Sequence, residues 1–261
     1  MSIAMLEAGF VDEIGLADAD EMVAAFWRTV FSEHAERLAR MVEAANITIT
    51  ERRRIVASRP RSPLGRAFKC LFLNRTSFSG ILKESAGAIG GMNQRGAYKI
   101  GCRFNRERIA ARIRELSRLR HRVRFVCCQS YEKTVTDCLA LDIARSNPES
   151  VFWYFDPPFF EKAARLYRKT FDAAEHRVFK SWLSRVPGHF VLSYDDVEES
   201  EALYGTDKRI IRFGMQYIMN GSDDPRPKVS ELIISDLTAD FRSKMTVHNR
   251  TRSILGVKIS K

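Results

Sequence analysis

The sequence has no apolar run long enough to cross a bilayer, and its N-terminus lacks the basic-then-apolar order of a signal peptide. Its cysteines are odd in number and show neither a CxxC spacing nor a neighbouring histidine pair, which argues against a disulfide framework and a zinc site. They are Cys70, Cys102, Cys127, Cys128 and Cys138. These absences predict a soluble cytoplasmic protein with reduced thiols, no membrane partner and no metal.

Acidic residues are scarce in one part of the chain. Residues 51–124 contain 20 Lys and Arg against 4 Asp and Glu, a net charge of +16, whereas the whole chain carries +11. The remainder therefore carries −5, the difference between the two. Such a basic segment indicates a polyanion as its partner, because neutralising phosphates releases counterions. The alternative is a solvated, arginine-rich surface.

Hydrophobic periodicity predicts an α/β fold. With 261 residues, 45% of them apolar, the chain can bury a full core. Strand-like runs alternate with helix-like runs, which favours right-handed crossovers and a largely parallel sheet. The last two strand-like runs flank a turn-rich stretch and predict an antiparallel hairpin. The predicted strands are 11–16, 122–128, 151–155, 189–194, 208–220 and 228–237, and the predicted helices are 21–31, 161–171 and two segments beginning near Tyr131 and at Ala174.

The basic segment is expected to be mostly helical. Ile109, Ile113, Leu116 and Leu119 fall on one helical face, with arginines on the other. Residues 72–105 are rich in Gly, Ser and Asn and are predicted to be a loop region that carries contacts.

The stretch VFWYFDPPFF, residues 151–160, brings an aromatic run directly to one carboxylate. Ligands of an open parallel sheet lie beyond the carboxyl ends of its strands, so we expect Asp156 to lie in a site. Pro157 and Pro158 fix the backbone and supply carbonyls without competing N–H groups, and Phe159 offers an aromatic face. An amino group held by two acceptors against a ring is what alkylation of a nucleobase amine requires. The D-P-P-F motif by itself is also compatible with a simple turn.

The motifs FLNRTSFSG, DPPF, LYRKTF, LSYDD and SELIISD occur in this order, and with them residues 2–236 resemble the Dam-type DNA adenine methyltransferases, which use S-adenosylmethionine. The resemblance implies a Rossmann-like methyltransferase sheet closed by an antiparallel hairpin, with an inserted, mostly helical basic region that binds double-stranded DNA. It implies direct methyl transfer to the exocyclic amine of a flipped adenine, without a covalent intermediate. The implied divisions are 1–35 (first part of the core), 36–121 (basic target-recognition region), 122–240 (catalytic part) and 241–261 (basic tail).

The resemblance also implies roles for single residues. Asp156 and the Pro157 carbonyl would orient the amine, Pro158 would complete the motif and Phe159 would stack on the base. The cofactor residues would be Asp18, which receives the ribose hydroxyls, Ser130 and Tyr131, which flank the adenine, and Asp156. The DNA contacts would be Asn74, Arg75, Phe78 and Ser79, with Arg112 and Arg118 of the basic helix on phosphates.

Other interpretations stay open. Asp18 would otherwise be a helix N-cap, for which Asp20 is better placed, and Ser130 and Tyr131 would otherwise be ordinary packing residues. The family's glycine-rich F-x-G-x-G loop has no counterpart before Ser2, so we expect the core to lack its first strand and to bind cofactor weakly. One alternative is therefore a non-catalytic DNA-binding relative. The other is a methyltransferase acting on cytosine amines, RNA or a protein amide, against which Asp156 and the NRTSF stretch argue.

Overall fold

The computed structural model describes residues 1–160, 168, 170–205, 210–215 and 229–236. These residues form a mixed α/β protein, as the periodicity predicts. They divide into two compact units, one of residues 1–131 with Arg168, the other of the remaining described residues from Glu132 onward. None of the helices in these residues has the length and apolarity that crossing a bilayer requires.

Helices make up most of the first unit, and polar residues explain where they begin. Asp20 accepts a hydrogen bond from the backbone N–H of Met22 at 2.8 Å and starts α2. Ser62 accepts one from Gly65 at 3.1 Å and starts α5, whose first residue is Pro63. The elements are α1 (Ser2–Glu7), β1 (Ile14–Asp18), α2 (Glu21–Val30), α3 (Ala35–Glu43), α4 (Ile49–Ala57), α5 (Pro63–Thr76), a 3-10 turn (Phe78–Gly80), α6 (Arg106–Ser117), a second 3-10 turn (Arg120–Arg122) and β2 (Val123–Cys128).

β1 and β2 form a two-stranded parallel sheet. Gly15 pairs with Phe125, and Asp18 pairs with Cys128, so the two strands end together. A Cβ atom on Gly15 would lie 2.3 Å from the tip of the Phe125 ring, so a larger residue there would force that ring to move. The carboxyl ends of both strands therefore share one edge of the sheet, which we call the β1–β2 edge.

The core of the first unit lies among its helices. α2 packs against α5, and α3 packs against α6. The Phe72 and Phe104 rings are 5.5 Å apart, and both are buried. Each such side chain stabilises the fold by about 1.5–3 kcal/mol. Ile109, Ile113 and Leu116 form the buried face of α6, which confirms the predicted amphipathic helix. The sequence-based division at residue 36 falls inside α3, within this unit.

The second unit contains a four-stranded mixed sheet with the strand order β3-β4-β6-β5. β3 and β4 are parallel, whereas β6 is antiparallel to both β4 and β5. The predicted antiparallel hairpin at the end of the core is therefore confirmed. The elements are α7 (Tyr131–Leu139), which begins at the boundary between the units, α8 (Asp142–Ser146), a 3-10 turn (Pro148–Ser150), β3 (Phe152–Phe155), α9 (Ala173–Leu183), β4 (His189–Asp195), α10 (Glu198–Tyr204), β5 (Ile210–Met215) and β6 (Val229–Ser235).

Two expectations need correction. Residues 72–76 are not part of a loop, because α5 continues to Thr76 and buries the apolar run that ends at Leu73. The described strands form two sheets rather than one, and only the pairs β1–β2 and β3–β4 are parallel. The predicted helix 161–171 lies mostly outside the described residues, as does the whole of the predicted tail 241–261.

Candidate functional site

Asp156 directly follows β3, and its carboxylate is held from the neighbouring strand. Ser193 of β4 donates its hydroxyl hydrogen to Asp156 Oδ1 at 2.7 Å. The Tyr154 hydroxyl lies 3.0 Å from Ser193 Oγ. Because Ser193 has one hydrogen to donate and gives it to Asp156, Tyr154 must donate to Ser193. The three side chains form a directed hydrogen-bond chain that ends on the carboxylate.

This chain depends on strand register and burial. Phe155 pairs with Leu192, so the residues that follow each of them, Asp156 and Ser193, lie side by side. Ser193 is 3% exposed. Burial raises the pKa of Tyr154, so its hydroxyl keeps the proton that it donates. The arrangement orients Asp156 with few alternative rotamers, since both donors are fixed on strands.

The residues after Asp156 form a rigid corner. Pro157, Pro158 and Phe159 are buried. The backbone N–H of Phe160 donates to Asp195 Oδ1, at the end of β4, at 3.0 Å. Phe159 is only 5% exposed, so its burial does not favour the expected stacking on a base. The corner fixes the backbone carbonyls next to Asp156.

Sequence analysis missed a buried aromatic and polar cluster beside this corner. The Phe160 ring stacks on His176 with 3.7 Å between centroids. His176 Nδ1 lies 2.8 Å from the Tyr194 hydroxyl, and burial lowers the pKa of His176. His176 is therefore a neutral packing residue at neutral pH. The only sequence signal for the cluster was the LSYDD strand, which contains Ser193 and Tyr194.

The β1–β2 edge gathers the three residues expected to bind the nucleoside part of a cofactor. Asp18 ends β1, and its partner Cys128 ends β2. Ser130 and Tyr131 follow Cys128 after a single residue, Gln129, so they lie at the same edge. The structure thus brings Asp18, Ser130 and Tyr131 to one place in the first unit.

Asp18 is buried and is not the helix cap. It is 8% exposed, and its Oδ1 accepts the backbone N–H of Asp20 at 2.7 Å. Asp20 caps α2 instead and pairs with Arg168 at 3.0 Å. Burial raises the pKa of Asp18 to about 8, and the charge of Asp20 adds to this, whereas the Asp20 N–H bond opposes it. A buried carboxyl of this kind is stabilised by further hydrogen-bond donors.

Asn74 and the residues after α5 form a braced loop. Asn74 is 2% exposed, and its side-chain amide donates to the Gly80 carbonyl at 3.2 Å. Gly80 and Ser79 have φ angles of +72° and +54°, in the left-handed region. Phe78, in the same turn, is 44% exposed. Asn74 therefore positions the turn, while Phe78 is the residue that offers a surface to a ligand.

Carboxylates of the same chain pair with several arginines of the basic segment. Arg112 Nη1 lies 2.6 Å from Glu7 and 2.8 Å from Glu115, and its side chain is 11% exposed. Arg118, by contrast, caps the end of α6 and is exposed. Further ion pairs join the segment to acids near the N-terminus, namely Arg114 with Glu36 and Glu43, Arg124 with Glu13, and Arg66 with Glu21. Arg118 is thus better placed than Arg112 to contact a phosphate.

Within the described part of the chain, no group of three or more His, Cys, Asp or Glu residues is arranged to hold a metal ion. The chain matches no protein-family model and no curated protein. The functional interpretation therefore depends on the residues of the chain itself.

Proposed function

We propose that the protein is an S-adenosylmethionine-dependent DNA adenine methyltransferase. The observation that carries this proposal is the Asp156 carboxylate, held by Ser193 at 2.7 Å at the carboxyl end of a parallel strand and followed by two buried prolines. A carboxylate in a plain turn has no need of a buried donor on the next strand, since water would solvate it.

The chemistry follows from what an exocyclic amine needs. Its nitrogen is a weak nucleophile, because its lone pair is delocalised into the base. An Asp156 oxygen and the Pro157 carbonyl would accept its two hydrogens and increase electron density on the nitrogen. The carbonyl of Pro157 precedes Pro158, which has no N–H that could compete for the same acceptors. These acceptors hold the amine in a single orientation.

Charge stabilisation is the second role of Asp156. Positive charge develops on the nitrogen as it attacks, and an ionised, prepositioned carboxylate stabilises that charge. Ser193 and Tyr154 keep the carboxylate oriented, so little reorganisation is needed during the reaction. S-Adenosylmethionine, when bound, supplies an electrophilic sulfonium methyl group. Asp18 would hold its ribose at the β1–β2 edge.

We also propose that the core is Rossmann-like. Two parallel strand pairs support this, each with a buried or held carboxylate at its carboxyl end, Asp18 as the last residue of β1 and Asp156 just after β3. The β5–β6 hairpin supplies the antiparallel end of such a sheet. In the described residues β1 pairs only with β2 and β3 only with β4, whereas both would be interior strands of a complete Rossmann-like sheet.

A methyl-transfer assay separates the candidates. The chain is incubated with S-adenosylmethionine carrying a labelled methyl group and with mixed-sequence duplex DNA, RNA or a peptide pool. The DNA is then digested to nucleosides. We expect label in DNA alone, and only in adenosine methylated on its exocyclic amine. Label in cytidine, RNA or peptide would contradict adenine methylation, and DNA binding without label would favour the non-catalytic relative.

A further inference from the structure

Asp20 is a charged cap at the start of a helix, where a neutral residue would serve. The other helices of the first unit that have a side-chain cap begin at neutral residues, namely Thr48, Ser62 and Asn105. The Asp20 side chain is 4% exposed, so its charge loses most of its hydration. Arg168 Nη1 lies 3.0 Å from Asp20 Oδ1, and the Arg168 side chain is 38% exposed. Helix capping alone does not account for this ion pair.

Asp18 is hydrogen-bonded to the acidic member of the ion pair. The backbone N–H of Asp20 donates to Asp18 Oδ1 at 2.7 Å, and both residues are buried. Two carboxylates this close repel each other, which favours the protonated form of one of them. Burial is the main reason that the pKa of Asp18 is raised to about 8, and the charge of Asp20 contributes in the same direction. Arg168 offsets that charge, because it pairs with Asp20.

Two thiols complete the surroundings of Asp18. Cys70 of α5 is buried, and burial raises the pKa of its thiol, as do the charges of Asp20 and Asp18, whereas Arg168 opposes them. Cys128 of β2 pairs with Asp18 in the sheet, and burial followed by the charge of Asp18 raises the pKa of its thiol. Both thiols are therefore uncharged near neutral pH. The other charged groups that act on Cys128 are Glu21, Asp20 and Arg28.

We propose that Arg168 is a positioning residue of the β1–β2 edge, which pairs with Asp20 and thereby allows the adjoining Asp18 carboxyl to ionise when ribose hydroxyls bind. An ionised carboxylate accepts the hydrogens of two hydroxyls, whereas a protonated carboxyl has to use one oxygen as a donor. Arg168 thus sets the pH range in which the edge binds a nucleoside. The ribose rests on the proposed function, whereas the effect of Arg168 on Asp18 does not.

The first test measures the ionisation of Asp18 without any ligand. The full chain is labelled with isotopic aspartate, and the carboxyl carbon of Asp18 is followed by NMR as the pH is raised. Its signal is assigned by its absence in Asp18→Asn. The parent should titrate near pH 8. Arg168→Gln should titrate about one unit higher, because a nearby opposite charge is lost. Arg168→Lys keeps the charge and should titrate close to the parent.

Arg124→Gln is the matched control. Arg124 pairs with Glu13 near the amino end of the same sheet, so its removal should leave the titration of Asp18 unchanged. Equal midpoints in Arg168→Gln and the parent would overturn the proposal. If Arg168→Gln fails to fold, Asp20→Asn decides the question. Asparagine also caps helices, and removal of the charge should lower the midpoint of Asp18. An unchanged midpoint in that variant would overturn the coupling.

The second test measures nucleoside binding. Its probe is adenosine, which carries the ribose hydroxyls and has no group that titrates near neutral pH. Affinity is measured by calorimetric titration from about pH 6 to about pH 10. The affinity of the parent should increase with pH and level off above about 8, where Asp18 is ionised. Arg168→Gln should bind about tenfold more weakly than the parent near neutral pH and equally well at about pH 10. A dideoxy analogue of adenosine, which lacks both hydroxyls, should show no such pH dependence.

Equal adenosine affinities of Arg168→Gln and the parent at neutral pH would overturn the role of Arg168 in ribose binding. The same pH dependence with the dideoxy analogue would overturn it as well. A parent that binds no adenosine at any pH would contradict the ribose and, with it, the proposed function, whereas a shifted titration of Asp18 in Arg168→Gln would still support the coupling. Equal midpoints in a chain that transfers methyl groups would contradict this inference alone.

Discussion

Ser193 on β4 donates its hydroxyl hydrogen to Asp156 Oδ1 at 2.7 Å, so a residue 37 positions along the chain orients the carboxylate that ends β3. A hydrogen bond to a charged group contributes about 1.5–3 kcal/mol, which corresponds to roughly 10- to 100-fold in rate where it acts in the transition state. Ser193 is therefore a positioning residue in the proposed reaction.

Ser193→Ala should lower kcat by roughly 10- to 100-fold and leave the KM for DNA nearly unchanged. Tyr154→Phe keeps the hydrogen bond from Ser193 to Asp156 and should lower kcat by a smaller factor. Ser193→Thr keeps the hydroxyl and should recover part of the rate. Ser235→Ala is the matched control, because Ser235 is also a buried serine of this sheet. A loss of activity that Ser235→Ala reproduces would mean that Ser193 acts only on folding.

Asp156→Ala should lower the rate of methyl transfer by roughly 10²-fold or more, since it removes a prepositioned charge. Affinity for duplex DNA should change little. Glu199→Ala, an exposed carboxylate of α10 in the same unit, is the control and should keep the parental rate. Equal rates for Asp156→Ala and the parent would exclude the catalytic role.

Asp18 predicts a dependence of stability on pH. Its folded pKa of about 8 lies above the value of about 3.9 expected in the unfolded chain. The folded state therefore binds the proton more tightly, and the resulting stability is complete below about pH 4 and lost as the pH rises through about 8. Asp18→Asn should match the parent near pH 4 and exceed it above pH 8 by at least about 2 kcal/mol.

Thermal or urea unfolding at several pH values measures this difference. Asp12→Asn, an exposed aspartate of the same unit, is the control and should follow the parent throughout. Parallel curves for Asp18→Asn and the parent would show that Asp18 ionises normally in the folded protein.

Arg118 and Arg112 should differ in their effect on DNA binding. If the parent neutralises about six phosphates, log affinity should fall with log salt at a slope of roughly −5. Arg118→Gln should flatten this slope by about one unit. Arg112→Gln should leave the slope unchanged and lower the Tm, because Arg112 pairs with Glu7 and Glu115. A flatter slope with Arg112→Gln would show that Arg112 leaves its carboxylates to contact phosphate.

Local sequence patterns predicted the helices and strands. Contacts between residues far apart in the chain could not be predicted from such patterns. The strand before Asp156 and the apolar face of α6 are visible in the sequence, since both depend on spacing within a few residues. The bond from Ser193 to Asp156 depends on the β3–β4 register, and the pairing of Arg112 with Glu7 joins residues 105 positions apart. Composition gave no sign of either contact.

Arg75 shows a different limit. Residues 72–105 resemble a loop because the stretch is rich in Gly, Ser and Asn. Its first residues, 72–76, nevertheless complete α5. Burial of Phe72 and Leu73 in the core outweighs the local composition. An arginine expected on a loop therefore lies buried at a helix end, and only the three-dimensional structure shows that its Nε and Nη2 have no hydrogen-bond partner among the described residues.

The acidic residues near the N-terminus neutralise part of the positive charge of the basic segment. Glu7, Glu13, Glu36 and Glu43 all precede the segment in the chain and pair with its arginines. Folding therefore lowers the charge that the segment presents to its surroundings below the +16 of its sequence. A fragment limited to residues 51–124 would lack these carboxylates and would adhere to any polyanion, heparin included, more strongly and less selectively than the folded protein. The N-terminal acidic residues thereby limit non-specific binding of the basic segment to polyanions.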